Sequence, residues 1–287
     1  MFAWDCEVRA DRCDTVPLPD HDKTTTRGHY TFGDNRMAAR RLQRLADLFR
    51  PSLEAFVSAH VPRPVAHLLD MACGPGHTTR QLAAIVPAAR VTGIDHSRPF
   101  INDAQRSPLP NVAFRLGDIR RPHREVAADL PPADVLYSRF LLTHLPEPGD
   151  ALSTWAGYLA PGAVGLLQET AAMAGSHPAL ARYYELVADL QQRHGQRLDM
   201  GRGLAALPDP GLYDVRYSGE RRFVLPGDRM AELHRLNLMT WRHDPLAASL
   251  DRRELATLDV ELAAIAGNHG ADVVVEYSMG ELVLVRR

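Results

Sequence analysis

The segment LLDMACGPGHTT, residues 68–79, decides the fold of this chain. The apolar run at 65–69 predicts a short buried strand, and residues 78–86 predict a helix with one apolar face. Between these elements, Gly74 and Gly76 permit the positive φ that a sharp strand-to-helix turn requires. The first N–H groups of the helix then point towards whatever the turn binds. The pattern therefore predicts a cofactor-binding turn.

Two features distinguish this turn from the fingerprint of nicotinamide and flavin enzymes. That fingerprint requires a third glycine where Thr79 stands. Asp70 also places a carboxylate at the end of the first strand, where it would repel a pyrophosphate but suits an ammonium or a sulfonium. The turn therefore favours S-adenosylmethionine over NAD, and a nicotinamide oxidoreductase is the weaker alternative.

Three further strands end in polar residues. Residues 91–95 end in Asp95, about 20 residues past the glycines, where a ribose diol needs an acceptor. Residues 112–116 precede Asp118, which is placed to accept the amino group of an adenine, and residues 133–138 form the fourth strand. All four strands are expected to end where one ligand can contact them.

On these motifs the chain resembles the class I S-adenosylmethionine-dependent methyltransferases. The motifs are DMACGPG at 70–76, GIDHS at 93–97, LGDI at 116–119 and YSRFLLTHLPEP at 137–148. The resemblance extends from residue 30 to about residue 170. It implies an α/β fold with a Rossmann-like, doubly wound, mostly parallel seven-stranded sheet, N-terminal helices and an inserted helical lid. It also implies S-adenosylmethionine as cofactor and methyl transfer as the reaction.

The resemblance assigns roles to residues of the predicted cofactor site. Gly74 and Gly76 would pack under the methionine part, Asp95 would hold the ribose hydroxyls, and Asp118 with Ile119 would read the adenine. Further contacts would come from His96 against the adenine ring, from the Ser138 carbonyl and from Arg41 at the methionine carboxylate. The complete predicted set is Tyr30, Arg41, Asp70, Ala72, Gly74, Pro75, Gly76, Asp95, His96, Asp118, Ile119 and Ser138.

The predicted organisation has four parts. Residues 1–27 are polar and predict a mobile tail, and residues 28–170 form the cofactor-binding core with its cover helices. Residues 171–270 predict a helical lid with one strand segment, which would bind the substrate. Residues 271–287 predict C-terminal strands, arranged either as a hairpin around 278–281 or as the final antiparallel pair of the sheet.

Composition limits the partners of the protein. The chain has 287 residues, a formal net charge of −2 and no basic run, which argues against nucleic acid as the main partner. It lacks an apolar run of the roughly 20 residues that cross a membrane, and its start lacks the pattern of a signal peptide. Three cysteines, at 6, 13 and 73, predict neither a disulfide framework nor a metal site. We expect a cytoplasmic protein that takes a small-molecule acceptor, with a homodimer as a possible assembly.

Two residues beyond the fourth and fifth strands are candidates for a catalytic base. These are His144 and Glu169, although His144 also fits a structural histidine at a helix end and Glu169 an ion pair with a neighbouring arginine. Aromatic and histidine side chains of the lid are predicted walls of the acceptor pocket, or alternatively core. They are His177, Tyr183, Tyr184, His234, Trp241 and His243.

The expected function is methyl transfer to a small, partly apolar metabolite, with oxygen preferred as the acceptor atom and natural-product tailoring as the setting. This setting rests on the family resemblance. The alternative is a protein that binds S-adenosylmethionine without transferring its methyl group, because the sequence offers no obvious base.

Overall fold

The computed structural model describes residues 35–241, 250–269 and 272–287, and for Trp241, Asn268 and His269 it describes the backbone alone. The predicted N-terminal tail, Tyr30 and His243 lie outside the described residues.

Seven strands form one sheet in the order β3-β2-β1-β4-β5-β7-β6. The strands are β1 (His67–Met71), β2 (Arg90–Asp95), β3 (Val112–Leu116), β4 (Ala133–Arg139), β5 (Leu159–Gly175), β6 (Tyr213–Pro226) and β7 (Val274–Arg286). Strands β1 to β5 are parallel, and β7 runs antiparallel between β5 and β6. The predicted Rossmann-like, mostly parallel seven-stranded sheet is confirmed. The strand order reverses between β1 and β4, which is where such sheets bind ligands at the carboxyl ends of their strands.

Helices cover both faces of the sheet and its carboxyl edge. They are α1 (Arg36–Leu48), α2 (Arg50–His60), α3 (His77–Ile85), α4 (Arg98–Ala104), α5 (His123–Val126), α6 (Pro148–Trp155), α7 (Pro178–Arg193), α8 (Gly227–Trp241) and α9 (Arg252–Ala264). Short 3₁₀ helices occupy Leu142–His144, Ala156–Tyr158 and Met200–Ala206. No helix in the described ranges is apolar over the length that a membrane crossing requires.

The two N-terminal helices form because their apolar residues recur with the helical period. Asn35 caps α1 by accepting the amides of Met37 and Ala38, and α2 buries Leu53 and Phe56 against the sheet. Phe49, between the two helices, is buried in a different cluster, formed mainly by α7, α8, α9 and β7. The N-terminal segment therefore joins the sheet to the helices above its carboxyl edge.

The C-terminal third differs from the prediction in two respects. The strand segment predicted within the lid is β6, which forms an edge of the main sheet. The predicted hairpin is wrong, because residues 278–281 lie in the middle of β7 and pair on both sides. Antiparallel pairing with β5 along almost its whole length keeps β7 continuous through Gly280.

Candidate functional site

A cavity of about 460 Å³ opens at the carboxyl ends of β1, β2 and β4. Its lower wall consists of the glycine turn after β1 and the loops that follow β2, β3 and β4. Its upper wall comes from α1, α7 and α8. The cavity thus lies at the topological switch point and is covered by helices.

The turn after β1 takes the conformation that its glycines predict. Gly74 has φ +54° and lines the cavity, and Gly76 has φ +79° and caps the N-terminus of α3. A Cβ on Gly76 would lie 2.4 Å from the ring of Phe114, so a larger residue does not fit. Ala72 also has a positive φ, +56°, and lines the cavity with Pro75. The turn stays close to the cavity because it carries so little side-chain volume.

Asp95 fixes the geometry between the end of β2 and the glycine turn. Its carboxylate is buried and accepts the amides of Gly74 and Ser97, each at 2.8 Å. Asp95 also lines the cavity, as the prediction for the ribose contact requires. The neighbouring His96 lines the cavity with an exposed side chain. One carboxylate therefore connects the two strand ends that would hold the methionine and ribose parts of the cofactor.

Asp70 is placed differently from the expected cation contact. It is buried under the turn, it is not part of the cavity wall, and it accepts a 2.6 Å hydrogen bond from the Thr79 hydroxyl. Burial raises the pKa of Asp70 to about 7, although the Thr79 hydroxyl opposes this shift. The side chain thus ties α3 to β1 from below the cavity.

Asp118 and Ile119 line the part of the cavity that is predicted to bind the adenine. Asp118 accepts the Arg120 guanidinium through both carboxylate oxygens, at 2.8 to 3.2 Å. Burial opposes ionisation, but these hydrogen bonds prevail and lower the pKa of Asp118. The carbonyl of Ile119 accepts the indole N–H of Trp155 at 2.9 Å, which holds this loop against α6. The carboxylate is therefore charged and held in place.

Ser138 is buried within β4 and does not line the cavity, whereas the next two residues do. Arg139 donates to the Thr78 hydroxyl at 3.0 Å and to the Phe49 carbonyl at 3.3 Å. Phe140 has φ +54°, an uncommon conformation for an aromatic residue. Sequence reasoning missed Arg139, although it lies in the quoted YSRF motif immediately after Ser138. Through its contact with Thr78, the Arg139 guanidinium lies beside the glycine turn.

Arg41 lies on α1, is buried and lines the cavity. The next residue, Leu42, approaches within 3.2 Å of the position of a Cβ on Gly74, so this turn of α1 packs on the glycine turn. Arg41 also contacts Asn237 of α8, with its Nη1 3.4 Å from the amide oxygen. The guanidinium therefore lies between the predicted methionine end and the helical cover.

His144 lines the cavity from the 3₁₀ helix after β4, and its Nδ1 lies 3.3 Å from Gln196 Oε1. Burial lowers the pKa of His144 to about 4, and the charge of Arg41 adds to the effect. The imidazole is therefore neutral near pH 7 and able to accept a proton, as a weak base.

Glu169 does not line the cavity. It is buried, and one carboxylate oxygen accepts the amides of Leu141 and Leu142 at 2.7 Å each. Burial raises the pKa of Glu169 to about 7 against the effect of these hydrogen bonds. The side chain holds the start of the 3₁₀ helix that carries His144, so its position does not fit the predicted role of a base on the acceptor.

Tyr183, His234 and Asn237 form a polar group in the helical wall. The Asn237 amide donates to the Tyr183 hydroxyl at 2.8 Å, and the His234 ring stacks on Tyr183 with 4.1 Å between centroids. Tyr184 is outside the cavity wall and lies 3.1 Å from His234 Nε2. His177 instead caps α7 by accepting the amide of Ala179. Among the predicted aromatic and histidine wall residues whose side chains the structure describes, Tyr183 and His234 therefore line the cavity.

In the part of the chain that the structure describes, no group of three histidine, cysteine or carboxylate side chains is placed to hold a metal ion. Cys73 lines the cavity as a buried thiol whose pKa is raised by burial, so it is not a nucleophile near neutral pH.

Comparison with known proteins agrees with this geometry. Residues 68–162 match the family model described as a methyltransferase domain. A trans-aconitate 2-methyltransferase of Methylobacterium nodulans is 34% identical over 125 residues, which cover 44% of this chain and 46% of that protein. The chain aligns with about half the length of the curated relatives it matches.

Solved structures show the same fold. A putative type II methyltransferase from Anaeromyxobacter dehalogenans superposes with a TM-score of 0.54 at 18% identity, covering 82% of this chain and 94% of that chain. Phosphoethanolamine N-methyltransferase 2 of Haemonchus contortus, solved in complex with S-adenosyl-L-methionine, gives a TM-score of 0.53 at 16% identity. That match covers 92% of this chain and 60% of the other. Residues 68–162 are therefore similar to a methyltransferase domain, and the chain has the fold of these solved methyltransferases.

Proposed function

We propose that this protein transfers a methyl group from S-adenosylmethionine to an oxygen atom of a small-molecule acceptor. The observation that carries the proposal is the continuity of one cavity from the glycine turn, Asp95 and Asp118 to the helical wall of α7 and α8. One half offers the groups that an adenosyl cofactor needs. The other half offers space beside it for a second molecule.

The residues of the lower wall fit the cofactor by charge and by shape. The buried Asp95 carboxylate suits the ribose diol, and Asp118 suits the adenine amino group. Arg41 and Arg139 supply positive charge beside the glycine turn, where the methionine carboxylate would lie. Gly74 lines the cavity and would contact the methionine part, whereas Gly76 lets the turn pack closely on Phe114.

The chemistry requires little more from the protein than positioning. S-adenosylmethionine, when bound, would supply a methyl group on a sulfonium, which an acceptor nucleophile takes in line as the carbon–sulfur bond breaks and neutral S-adenosylhomocysteine leaves. The helices above the cavity exclude water and hold the acceptor close to the reacting carbon, which accounts for much of the catalysis in such reactions. For a hydroxyl acceptor we assign His144 as the base, because its imidazole lines the cavity and is neutral near pH 7.

Oxygen is the proposed acceptor atom, with natural-product tailoring as the proposed setting. The relatives matched by sequence include trans-aconitate 2-methyltransferases, which supports a small organic molecule as the acceptor. A carboxylate oxygen would need no base, whereas a hydroxyl would use His144. Trans-aconitate therefore belongs in the acceptor panel, where it represents the carboxylate acceptors.

Calorimetric titration with S-adenosylmethionine, S-adenosylhomocysteine and NADH tests the cofactor assignment. We expect both adenosyl ligands to bind and NADH not to bind. Asp95→Ala should weaken adenosyl binding by roughly 1 to 3 kcal/mol, because the ribose hydroxyls lose their buried acceptor. Asp214→Ala, at an exposed site on β6, is the matched control and should leave binding unchanged. Preference for NADH would refute the proposal.

Transfer of labelled methyl groups to an acceptor panel that includes trans-aconitate tests the reaction. The alternative function, cofactor binding without methyl transfer, is favoured by the weak basicity of His144 and the occupied carboxylate of Glu169. Adenosyl binding without transfer to any oxygen, nitrogen or carbon acceptor in the panel would support that alternative.

A further inference from the structure

We infer that the acceptor is an uncharged, largely apolar molecule bearing oxygen groups, and that Gln191 and His234 select it by hydrogen bonding. This inference rests on the proposed function and specifies the substrate class of the same cavity. Three observations carry it: the lack of charge on the helical wall, and an unsatisfied polar atom in each of the two side chains.

The helical wall is apolar apart from uncharged polar groups. The cavity-lining residues beyond β5 are Tyr183, Val187, Gln191, Leu198, Met230, Leu233, His234, Asn237 and Tyr277, and among these described residues none carries a carboxylate, ammonium or guanidinium group. The guanidinium of Arg139 lies beside the glycine turn, that of Arg120 is paired with Asp118, and that of Arg41 extends from α1 to Asn237. Because we assign Arg41 to the methionine carboxylate, an anionic acceptor would receive no counter-charge from α7 or α8, which is unfavourable away from water.

Gln191 is the first of the two selective side chains. Tyr183, Val187 and Gln191 follow one another at intervals of four residues on α7, so they present one continuous face to the cavity. Gln191 is 4% exposed, and its Oε1 is buried without a hydrogen-bond partner among the described residues. A buried amide oxygen without a hydrogen-bond donor is costly, and native proteins keep few of them. A hydrogen-bonding group on a bound molecule would remove that cost.

His234 is the second selective side chain and lies on α8. It is 3% exposed, its ring stacks on Tyr183, and its Nε2 contacts the Tyr184 hydroxyl at 3.1 Å. Its Nδ1 is buried without a hydrogen-bond partner in the described part of the chain. Burial also lowers the pKa of His234 to about 3, so the imidazole does not supply positive charge for an anion. It is suited to a neutral hydroxyl or carbonyl group.

The surroundings of these two side chains define the rest of the acceptor. Apolar side chains of Met230, Leu233 and Val187 line the same wall, and the Tyr183 ring adds a flat surface. Such a wall suits an aromatic or alicyclic body, with the polar atoms of Gln191 and His234 fixing its orientation. The acceptor is therefore a neutral ring compound that bears hydroxyl or carbonyl groups, and not a polycarboxylate.

The first test measures thermal stability without any acceptor. Gln191→Met keeps the length of the side chain and removes the unsatisfied amide, so we expect Tm to rise by roughly 2 to 4 °C. Gln192→Met is the matched control, because Gln192 is exposed on the same helix and outside this cavity. Its Tm should not change. A fall in Tm for Gln191→Met would mean that the fold itself satisfies the amide, and would overturn the inference.

The second test measures binding to the protein loaded with S-adenosylhomocysteine. The probes are methyl 4-hydroxybenzoate and 4-hydroxybenzoate, which share a ring and a hydroxyl but differ in charge. We expect the ester to bind at least tenfold more tightly than the acid. Gln191→Met should weaken ester binding roughly tenfold, as for a lost hydrogen bond to a buried group, and leave the affinity for S-adenosylhomocysteine unchanged.

The outcomes separate the two proposals. If the wild-type protein does not bind S-adenosylhomocysteine, the proposed function itself is contradicted. Normal binding of that ligand, together with no ester binding, tighter acid binding, or an ester affinity that Gln191→Met leaves unchanged, would overturn the inference about the acceptor and leave the proposed function standing.

Discussion

The Thr79 hydroxyl donates a 2.6 Å hydrogen bond to the buried carboxylate of Asp70. This bond joins the first turn of α3 to the last part of β1 beneath the glycine turn. It gives a physical reason for threonine at a position where dinucleotide-binding turns have glycine: the hydroxyl satisfies a carboxylate that would otherwise be buried alone. Asp70 therefore supports the turn from below.

Asp70→Asn should flatten the pH dependence of stability between about pH 4 and pH 7. Burial raises the pKa of Asp70 from 3.8 to about 7, so the native state holds this proton more tightly than the unfolded state. Stability conferred by the protonated carboxyl is present at low pH and is lost as pH rises through this range, by at most about 1.4 kcal/mol per pH unit. Urea unfolding at several pH values measures the slope.

The control for this experiment is Asp214→Asn. Asp214 is exposed and its pKa is lowered by hydrogen bonds from Arg287, so it does not titrate between pH 5 and pH 7. Its substitution should preserve the wild-type slope over that interval. A slope that Asp70→Asn leaves unchanged would show that Asp70 is already ionised in the native state.

Ala72→Gly should stabilise the protein by about 0.5 to 1 kcal/mol. Ala72 has φ +56°, a conformation that costs a residue with a Cβ roughly 1 to 2 kcal/mol, and part of the gain is offset by the greater freedom of glycine in the unfolded chain. Ala46→Gly, a buried alanine in α1, is the matched control and should cost about 1 kcal/mol. Urea unfolding measures both variants. If both lose the same free energy of unfolding, the backbone of Ala72 is not strained.

The sequence allowed the cofactor half of the site to be predicted because its determinants are local. A strand, two glycines and a helix occur within 20 residues, Asp95 is the last residue of β2, and Asp118 lies two residues after β3. The carboxyl ends of parallel strands meet at one edge, so strand assignment was enough to bring these side chains together.

The parts of the site and of the fold that the sequence did not predict depend on contacts between distant segments of the chain. Glu169 reaches the amides of Leu141 and Leu142 across neighbouring strands, and the chain leaves β4 through the positive φ of Phe140. Neither feature has a periodic signal in the sequence. The continuity of β7 likewise comes from its pairing with β5, more than 100 residues earlier in the chain, and the turn-like composition of residues 278–281 gave a misleading local signal.

Replacement of Glu169 separates a positioning role from a catalytic one. Glu169→Ala leaves the buried amide of Leu142 and the part-buried amide of Leu141 without this acceptor, and we expect a loss of about 1 to 3 kcal/mol in the free energy of unfolding. Glu169→Gln keeps an oxygen acceptor and should lose less stability and retain methyl transfer. If Glu169 were the base, Glu169→Gln would abolish transfer in a kinetic assay while stability stayed close to that of the wild type.

His144 should control the acidic limb of the rate profile for a hydroxyl acceptor. Burial and the nearby Arg41 charge lower its pKa to about 4, so the neutral imidazole that accepts the proton persists from neutral pH down to about pH 5. We expect kcat to be constant from about pH 6 to pH 8 and to fall below about pH 5, with no inflection at the usual histidine pKa near 6.5.

His144→Asn should lower kcat by roughly 10² to 10⁴ and change the acceptor KM little. The matched control is His60→Asn, since His60 lies on α2 outside the cavity wall. A kcat that His144→Asn lowers by less than about tenfold would indicate an acceptor oxygen that is already deprotonated when it binds.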